Sequence, residues 1–310
     1  MKLDFSNIRI LVIGDFMLDR YTIGNSTRMS PEFPVPVILQ DKIIDCPGGA
    51  GNVVLNLLGL GANVSCMGFV GDDSEGAALL EILKKEGADI NFLKTMDGHL
   101  TTLKNRVISN NLQQLRIDSE KRVKLSKKDF SNIISKNLLQ KFDTIILSDY
   151  NKGVVDHDLF DYQDYNVIID PKKTDFSIYS NSNIITPNIF ELQATSKVRL
   201  NTKKLIINHC RELARKYNIN HVVLKRGAHG MLVVDQHDYL LEIPGHKVIN
   251  PDVTGAGDTV ISILSLMMCI TKNIEISSKA ANLAASMVVS KKGTSTLSLN
   301  EFNQRINDII

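Results

Sequence analysis

Cysteine is scarce in this chain of 310 residues: Cys46, Cys66, Cys210 and Cys269 stand apart, with no C-x-x-C pair and no histidine at metal-ligand spacing. That scatter argues against a disulfide framework and a structural zinc site, and a reducing cytoplasm is the expected compartment. Neither sign of charge is in excess, since 36 Lys and Arg face 34 Asp and Glu for a net +2. No broad field gathers nucleic acid or a membrane surface, so basic residues that matter act locally. No run approaches the roughly 18 consecutive apolar residues of a membrane helix, and the N-terminus reaches Asp4 without a basic-then-apolar signal pattern. Low-complexity segments, internal repeats and a compositional break are also missing, so one unit over 1–310 is expected. The lack of a G-x₄-G-K-[ST] loop sets a P-loop kinase aside.

What is present is Asp252-Val253-Thr254-Gly255-Ala256-Gly257-Asp258, followed by the apolar run Val260–Ile270. Two glycines around an alanine free the backbone to curl, and the run behind them reads as a buried helix. Orphan N–H groups and the positive end of the helix dipole make such a start an anion site, and a phosphoryl group in transfer suits it. Asp258 would be repelled there unless it takes a proton from an attacking hydroxyl. A helix capped by Thr254, with an acidic first turn, carries the same residues.

The rest reads as repeated βα units. Ile8–Ile13 ends at Gly14-Asp15, a buried strand that delivers Asp15 and then Asp19 to the carboxyl edge of a sheet. Carboxylates there accept hydrogen bonds from sugar hydroxyls, or serve as turn residues. Pro47-Gly48-Gly49-Ala50-Gly51-Asn52 opens a helix over Val53–Leu60, either admitting a ligand close to the backbone or forming only a tight turn. Strands follow at Val64–Val70, Thr144–Leu147, Val167–Ile169, Ile184-Ile185, Val222–Leu224 and Met231–Val234. Helices are expected at Gly76–Lys85, Phe130–Leu139, Leu205–Tyr217, Ala280–Ser290 and Asn300–Ile309. The predicted class is α/β, an open, mainly parallel sheet with helices on both faces.

Two stretches depart from that rhythm. Arg20–Lys42 carries Pro31, Pro34 and Pro36 among apolar residues, and Thr101–Asp118 alternates through Leu103, Arg106, Ile108, Gln113, Leu115 and Ile117. Together they predict a small β-sheet lid, over about 16–45 and 99–118, that excludes water from the site. Its apolar face suits a second subunit, so a homodimer is expected. Asn188 and Glu191, spaced i and i+3 at a helix start, fit Mg²⁺ through water and fit a capping box equally. Lys225-Arg226-Gly227-Ala228-His229-Gly230 either holds donor phosphates or merely joins a hairpin.

In order, Gly14-Asp15 with Asp19, the Gly48–Asn52 cluster, Asn188-x-x-Glu191 and the 252–258 stretch resemble the ribokinase-like (PfkB) carbohydrate kinases over essentially the whole chain. Finer runs are similar to one branch, the kinase part of the ADP-heptose synthesis enzymes. These are Gly14–Tyr21, Arg28–Val37, Leu147-Ser148-Asp149-Tyr150-Asn151-Lys152-Gly153, Asp170-Pro171-Lys172 and Lys292–Thr296. The resemblance implies ATP-dependent phosphorylation of D-glycero-β-D-manno-heptose 7-phosphate at O1. A sister activity, such as fructokinase or tagatose 6-phosphate kinase, and a non-catalytic sugar and nucleotide sensor are the alternatives. The chain has no H-x-G-H motif, so adenylyl transfer is expected of a separate nucleotidyltransferase.

By the same resemblance Asp258 is the base, and the N–H groups of Gly255, Ala256 and Gly257 stabilise the phosphoryl charge. Asp15, Asp19, Gly48, Gly49 and Asn52 hold the sugar. Asn188 and Glu191 organise Mg²⁺, and Asp252 supports a monovalent-cation (K⁺) loop. Lys225, Gly227, Gly230 and Asn282 line the ATP pocket. Arg106 and Lys172, with Arg28 behind them, are the candidates for the phosphate already on the sugar. Lys225-Arg226-Gly227 departs from the Thr- or Ser-bearing turn common in the family.

Overall fold

Alternation along the strands sets the architecture in this computed structural model, which describes residues 2–122, 125, 129–130, 133–156, 159–291 and 295–306. The main sheet is built from β1 (Arg9–Gly14), β4 (Asn63–Gly71), β5 (Asp89–Met96), β8 (Thr144–Ser148), β9 (Val167–Asp170), β10 (Ile184–Ile185), β11 (His221–Lys225), β12 (Met231–Asp235) and β13 (Leu240–Ile243). Their order is β13-β12-β11-β10-β9-β8-β1-β4-β5, and β12 runs antiparallel to both neighbours while β11, β10, β9, β8, β1, β4 and β5 are mutually parallel.

Ile10, Val12, Ile146, Ile168 and Val223 face one apolar cluster, which includes residues of the helices Ala50–Gly59, Ala256–Thr271 and Ile274–Val288. The intervening Leu11, Ile13, Ile145, Leu147, Ile169 and Val222 face a second cluster with the helix Lys203–Lys216. Burial on both faces is why these strands are continuous runs of Val, Ile and Leu. The carboxyl ends of β1, β8, β9, β10 and β11 lie side by side, followed by Asp15, Asp149, Asp170, Thr186 and Lys225 at or just beyond the strand ends.

The two departing stretches form a separate four-stranded sheet, β3-β2-β6-β7, from β2 (Phe16–Met29), β3 (Pro36–Gly49), β6 (Thr102–Ser109) and β7 (Leu112–Ser119). Leu39 and Ile43 on β3, and Leu115 and Ile117 on β7, are exposed.

Several boundaries differ from expectation. The helices expected from Val53 and Val260 begin at Ala50 and Ala256, because the glycine-rich turns form their first turns instead of preceding them. β5 and β13 lie outside the expected strands: β5 is a half-buried edge whose pairing slips near Ser65 and Met67, and β13 mixes exposed and buried positions without clean alternation. Of the helix expected over Phe130–Leu139, residues 131 and 132 lie outside the described residues, and Lys136–Leu139 is a single short turn of helix. The last helix is Leu299–Arg305, and the expected extension over 307–309 also falls outside the described residues. Among the described residues no helix is long and apolar enough to cross a membrane.

Candidate active site

The helix Ala256–Thr271 starts from Gly255 in the left-handed region at φ 77°, a conformation that glycine adopts without the Cβ penalty. No described side chain caps it, so Thr254 is not the N-cap; the Thr254 N–H instead donates to Asp252 Oδ1 at 3.1 Å. The Ala256 N–H makes a long bond, 3.3 Å, to Val253 O. Asp258 follows in the first turn with 5% of its surface exposed. Asn52 Nδ2 donates to its Oδ2 at 2.6 Å, and the Tyr150 hydroxyl donates to its Oδ1 at 2.7 Å. Burial pushes the Asp258 carboxyl up to about 6; the two donors and Lys225 oppose that rise, and the nearby Asp170 adds to it. A carboxylate poised near neutrality, with each oxygen already oriented by one donor, suits proton abstraction.

On the lid side the glycine cluster closes onto Asp19: a Cβ at Gly48 would stand 2.7 Å from Asp19 Oδ2. Gly49 is the N-cap of the helix that carries Asn52. Arg106 Nη1 pairs with Asp19 Oδ1 at 2.8 Å, and its guanidinium lies over the Tyr21 ring. Lys104, two residues earlier on β6, lies over the Tyr150 ring at 5.6 Å, and burial lowers its pKa. The Asp15 carboxylate is buried at this edge and holds the loop after β8. Its Oδ2 accepts from the Tyr150 and Lys152 N–H groups at 2.8 and 3.0 Å, and its Oδ1 from the Val154 N–H at 3.1 Å. The carboxylate is spent on the loop that aims Tyr150 at Asp258.

On the opposite strands Asn188 and Glu191 form a complete capping box: Asn188 Oδ1 accepts from the Phe190 and Glu191 N–H groups, and Glu191 Oε2 accepts from the Asn188 N–H. Lys172 pairs with Glu191 Oε1 at 3.1 Å, so this candidate for the sugar's phosphate is engaged beside Asn188 while Arg106 is on the lid. Arg28 stands at the exposed end of β2. Lys225 Nζ lies 2.5 Å from Asp170 Oδ1, and a Cβ at Gly257 would be 3.2 Å from that ammonium. The Gly227–His229 turn follows, and a Cβ at Gly230 would strike Ile243 O at 2.1 Å. Asn282 Nδ2 donates to Pro244 O at 2.9 Å, which brings Asn282 and Gly230 to one crossing point after β13. Among the described residues no group of three or more His, Cys, Asp or Glu is placed to cage a metal.

A family model for pfkB family carbohydrate kinases matches residues 7–301. The chain belongs to the pfkB family of carbohydrate kinases. It is therefore a sugar kinase with ATP as co-substrate. Bifunctional protein HldE of Coxiella burnetii is 36% identical over 99% of this chain and 66% of the relative. Its namesake in Haemophilus influenzae is 37% identical over 98% of this chain and 64% of the relative. The chain thus spans about two thirds of the length of these curated relatives. Among solved structures, Arabidopsis thaliana ribokinase complexed with ribose and ATP superposes with a TM-score of 0.74 at 17% identity, covering 96% of this chain and 98% of that one. Escherichia coli phosphofructokinase-2 in complex with substrates and products gives 0.77 at 18%, covering 97% and 99%. These two likenesses bear on the fold.

The fold also brings to this edge two residues that local patterns leave without a role, Tyr150 and Asp170. Asp170 ends β9 and Tyr150 lies two residues past β8, at the carboxyl edge that Asp15 shares, and that position is the signal that picks them out. Of the branch-specific runs, Lys292-Gly293-Thr294 lies outside the described residues.

Proposed function

We propose that this kinase transfers the γ-phosphoryl group of ATP to O1 of D-glycero-β-D-manno-heptose 7-phosphate, giving the 1,7-bisphosphate. The observation that carries the reading is the buried carboxylate Asp258, held by Asn52 and by Tyr150, whose ring lies under Lys104 of the lid; Lys104, Arg106 beside Asp19 and Lys172 beside Glu191 are the candidate cations for a phosphate the sugar already bears. The similarity to bifunctional protein HldE over nearly the whole chain supports the heptose as that sugar. Asp258 takes the proton from O1–H as O1 attacks the γ-phosphorus, the bond from phosphorus to the bridging oxygen breaks, and ADP leaves. The N–H groups of Gly255, Ala256 and Gly257 stabilise the charge on the moving phosphoryl. For Ala256 this requires release of its long bond to Val253 O.

Mg²⁺, when bound, offsets charge on the ATP phosphates. Both Glu191 oxygens and the Asn188 amide oxygen already hold partners, so this donor set fits an ion reached through water. Measurement of ADP release with a panel of free and phosphorylated sugars tests the substrate. Turnover of the heptose 7-phosphate should exceed that of every other sugar. Turnover of fructose or ribose with none of the heptose 7-phosphate rejects it, and binding of sugar and ATP without ADP release indicates a sensor.

Two further expectations arise from the site. Tyr150→Phe removes one of the donors that hold the Asp258 carboxyl down. The base acts ionised, so activity is lost as pH falls through about 6; in the variant the acid limb of kcat/KM moves to higher pH, and the loss at pH 6 exceeds that at pH 8. An acid limb that stays in place counts against Asp258 as the titrating base. On the lid, exposed Leu39, Ile43, Leu115 and Ile117 support a homodimer paired through this sheet. Sedimentation velocity should show two subunits, and Ile43→Lys with Leu115→Lys should yield monomers.

A further inference from the structure

Lys225 ends β11, and its backbone N–H donates to Pro187 O at 2.8 Å, which fixes the strand end beside Asn188. Its side chain is 14% exposed and Asp170's is 15%. Asp170 Oδ1 accepts from Lys225 Nζ at 2.5 Å and from Thr186 Oγ1 at 2.9 Å. Both charges border the second residue of the Ala256–Thr271 helix: a Cβ at Gly257 would stand 3.2 Å from Lys225 Nζ and 3.7 Å from Asp170 Oδ2.

A largely desolvated ion pair is a poor source of stability, because taking both charges out of water roughly cancels their attraction. Its position at the anion end of this helix calls for another explanation. With Asp170 and Asp258 both near the cradle, an arriving phosphoryl group meets two carboxylates. The helix N-terminus offsets them only in part, through partial charges that fall off within the first turn. An ammonium has three donors, so Lys225 can keep Asp170 and still offer N–H groups to a phosphoryl oxygen. Burial opposes the ammonium, but the Asp170 and Glu191 carboxylates outweigh it and Lys225 stays charged.

We propose that Lys225 is a catalytic cation that binds the phosphoryl group in flight beside Gly257, and that Asp170, anchored by Thr186, is its positioning residue. This rests on the chain's action as a kinase and is independent of which sugar it phosphorylates.

The decisive variant is the neutral pair Lys225→Met with Asp170→Asn, because Lys225→Met alone strands a buried carboxylate and endangers folding. Steady-state ADP release is read with the preferred sugar, alongside thermal melts and calorimetric titration of ADP with aluminium fluoride in the presence of that sugar. The expected result is a kcat lowered about 100-fold, the scale of losing one preorganised contact to developing charge. KM for the sugar should stay within a few-fold, and the tight ADP–fluoroaluminate complex should be lost. Lys225→Arg, which keeps the charge, should recover part of kcat. If the neutral pair folds and keeps kcat within about threefold of the parent, the pair is a structural strut and the assignment falls. A parent protein that turns over no sugar fails the kinase reading itself, a result separate from either outcome.

Discussion

Replacing Asp258 with asparagine is expected to lower kcat by about 10²–10⁴-fold, the span general-base catalysis supplies, and to raise the melting temperature at the same time. The two effects share one cause. Burial holds the Asp258 carboxyl at about 6 instead of 3.8, so the folded protein binds this proton more tightly than the unfolded chain does. The sign follows: the ionised carboxylate costs the folded state about 3 kcal/mol at neutral pH, the cost is absent below about pH 4, and it grows to its full value through about pH 6. Asparagine removes that cost. It can accept from the Tyr150 hydroxyl or from Asn52 Nδ2 through its carbonyl oxygen, and its amide can donate to the Tyr150 oxygen. Differential scanning calorimetry at pH 7 should show a rise of a few degrees that shrinks as the buffer approaches pH 4. ADP titration should show that nucleotide binding survives. A variant that is both inactive and less stable at pH 7 would mean that the carboxylate's hydrogen bonds outweigh its desolvation.

Parts of this site are hard to read from sequence because its groups meet only in the fold. The layers are legible: Ile10 and Val12 against Leu11 and Ile13 is an alternation that any buried parallel strand would show. The lid is legible too, since prolines and alternation exclude helices there. Contacts made across the sheet edge are not. Asn52 meets Asp258 across 206 positions through two packed helices, Tyr150 meets it across 108, and Lys225 meets Asp170 across 55, so each pair is joined only by the fold. Local spacing also cannot separate a capping box from a pair of metal ligands, because both need an acceptor at i and a carboxylate at i+3. In the fold the Asn188 and Glu191 side chains make the cap. Asp15 is ambiguous for a related reason: a carboxylate just beyond a strand serves a ligand, the next loop or both, and only the fold shows that it accepts from Tyr150, Lys152 and Val154.

Asp15→Ala should therefore behave as a folding lesion before it behaves as a binding lesion. The side chain belongs to a residue that is 2% exposed, and its loss leaves three N–H donors without their acceptor. At about 1–3 kcal/mol for each unsatisfied donor, partly relieved if water enters, the cost is on the order of 4 kcal/mol, a large share of a typical domain's stability. Asp15→Asn should cost less, because one carbonyl oxygen can still serve Tyr150 and Lys152 while its amide faces the Val154 N–H. Chemical denaturation should rank the three proteins as parent, asparagine, alanine. Hydrogen exchange should show the amides of Tyr150, Lys152 and Val154 losing protection in the alanine variant at temperatures where β1 and β8 remain protected. Loosening this loop releases the Tyr150 hydroxyl from Asp258 Oδ1, so the remaining folded fraction should show the same displaced acid limb as Tyr150→Phe. If Asp15→Ala instead raises KM for the sugar by orders of magnitude while the denaturation midpoint stays fixed, the carboxylate acts on the ligand directly. The loop would then have to be held by something other than the three bonds it makes to Asp15.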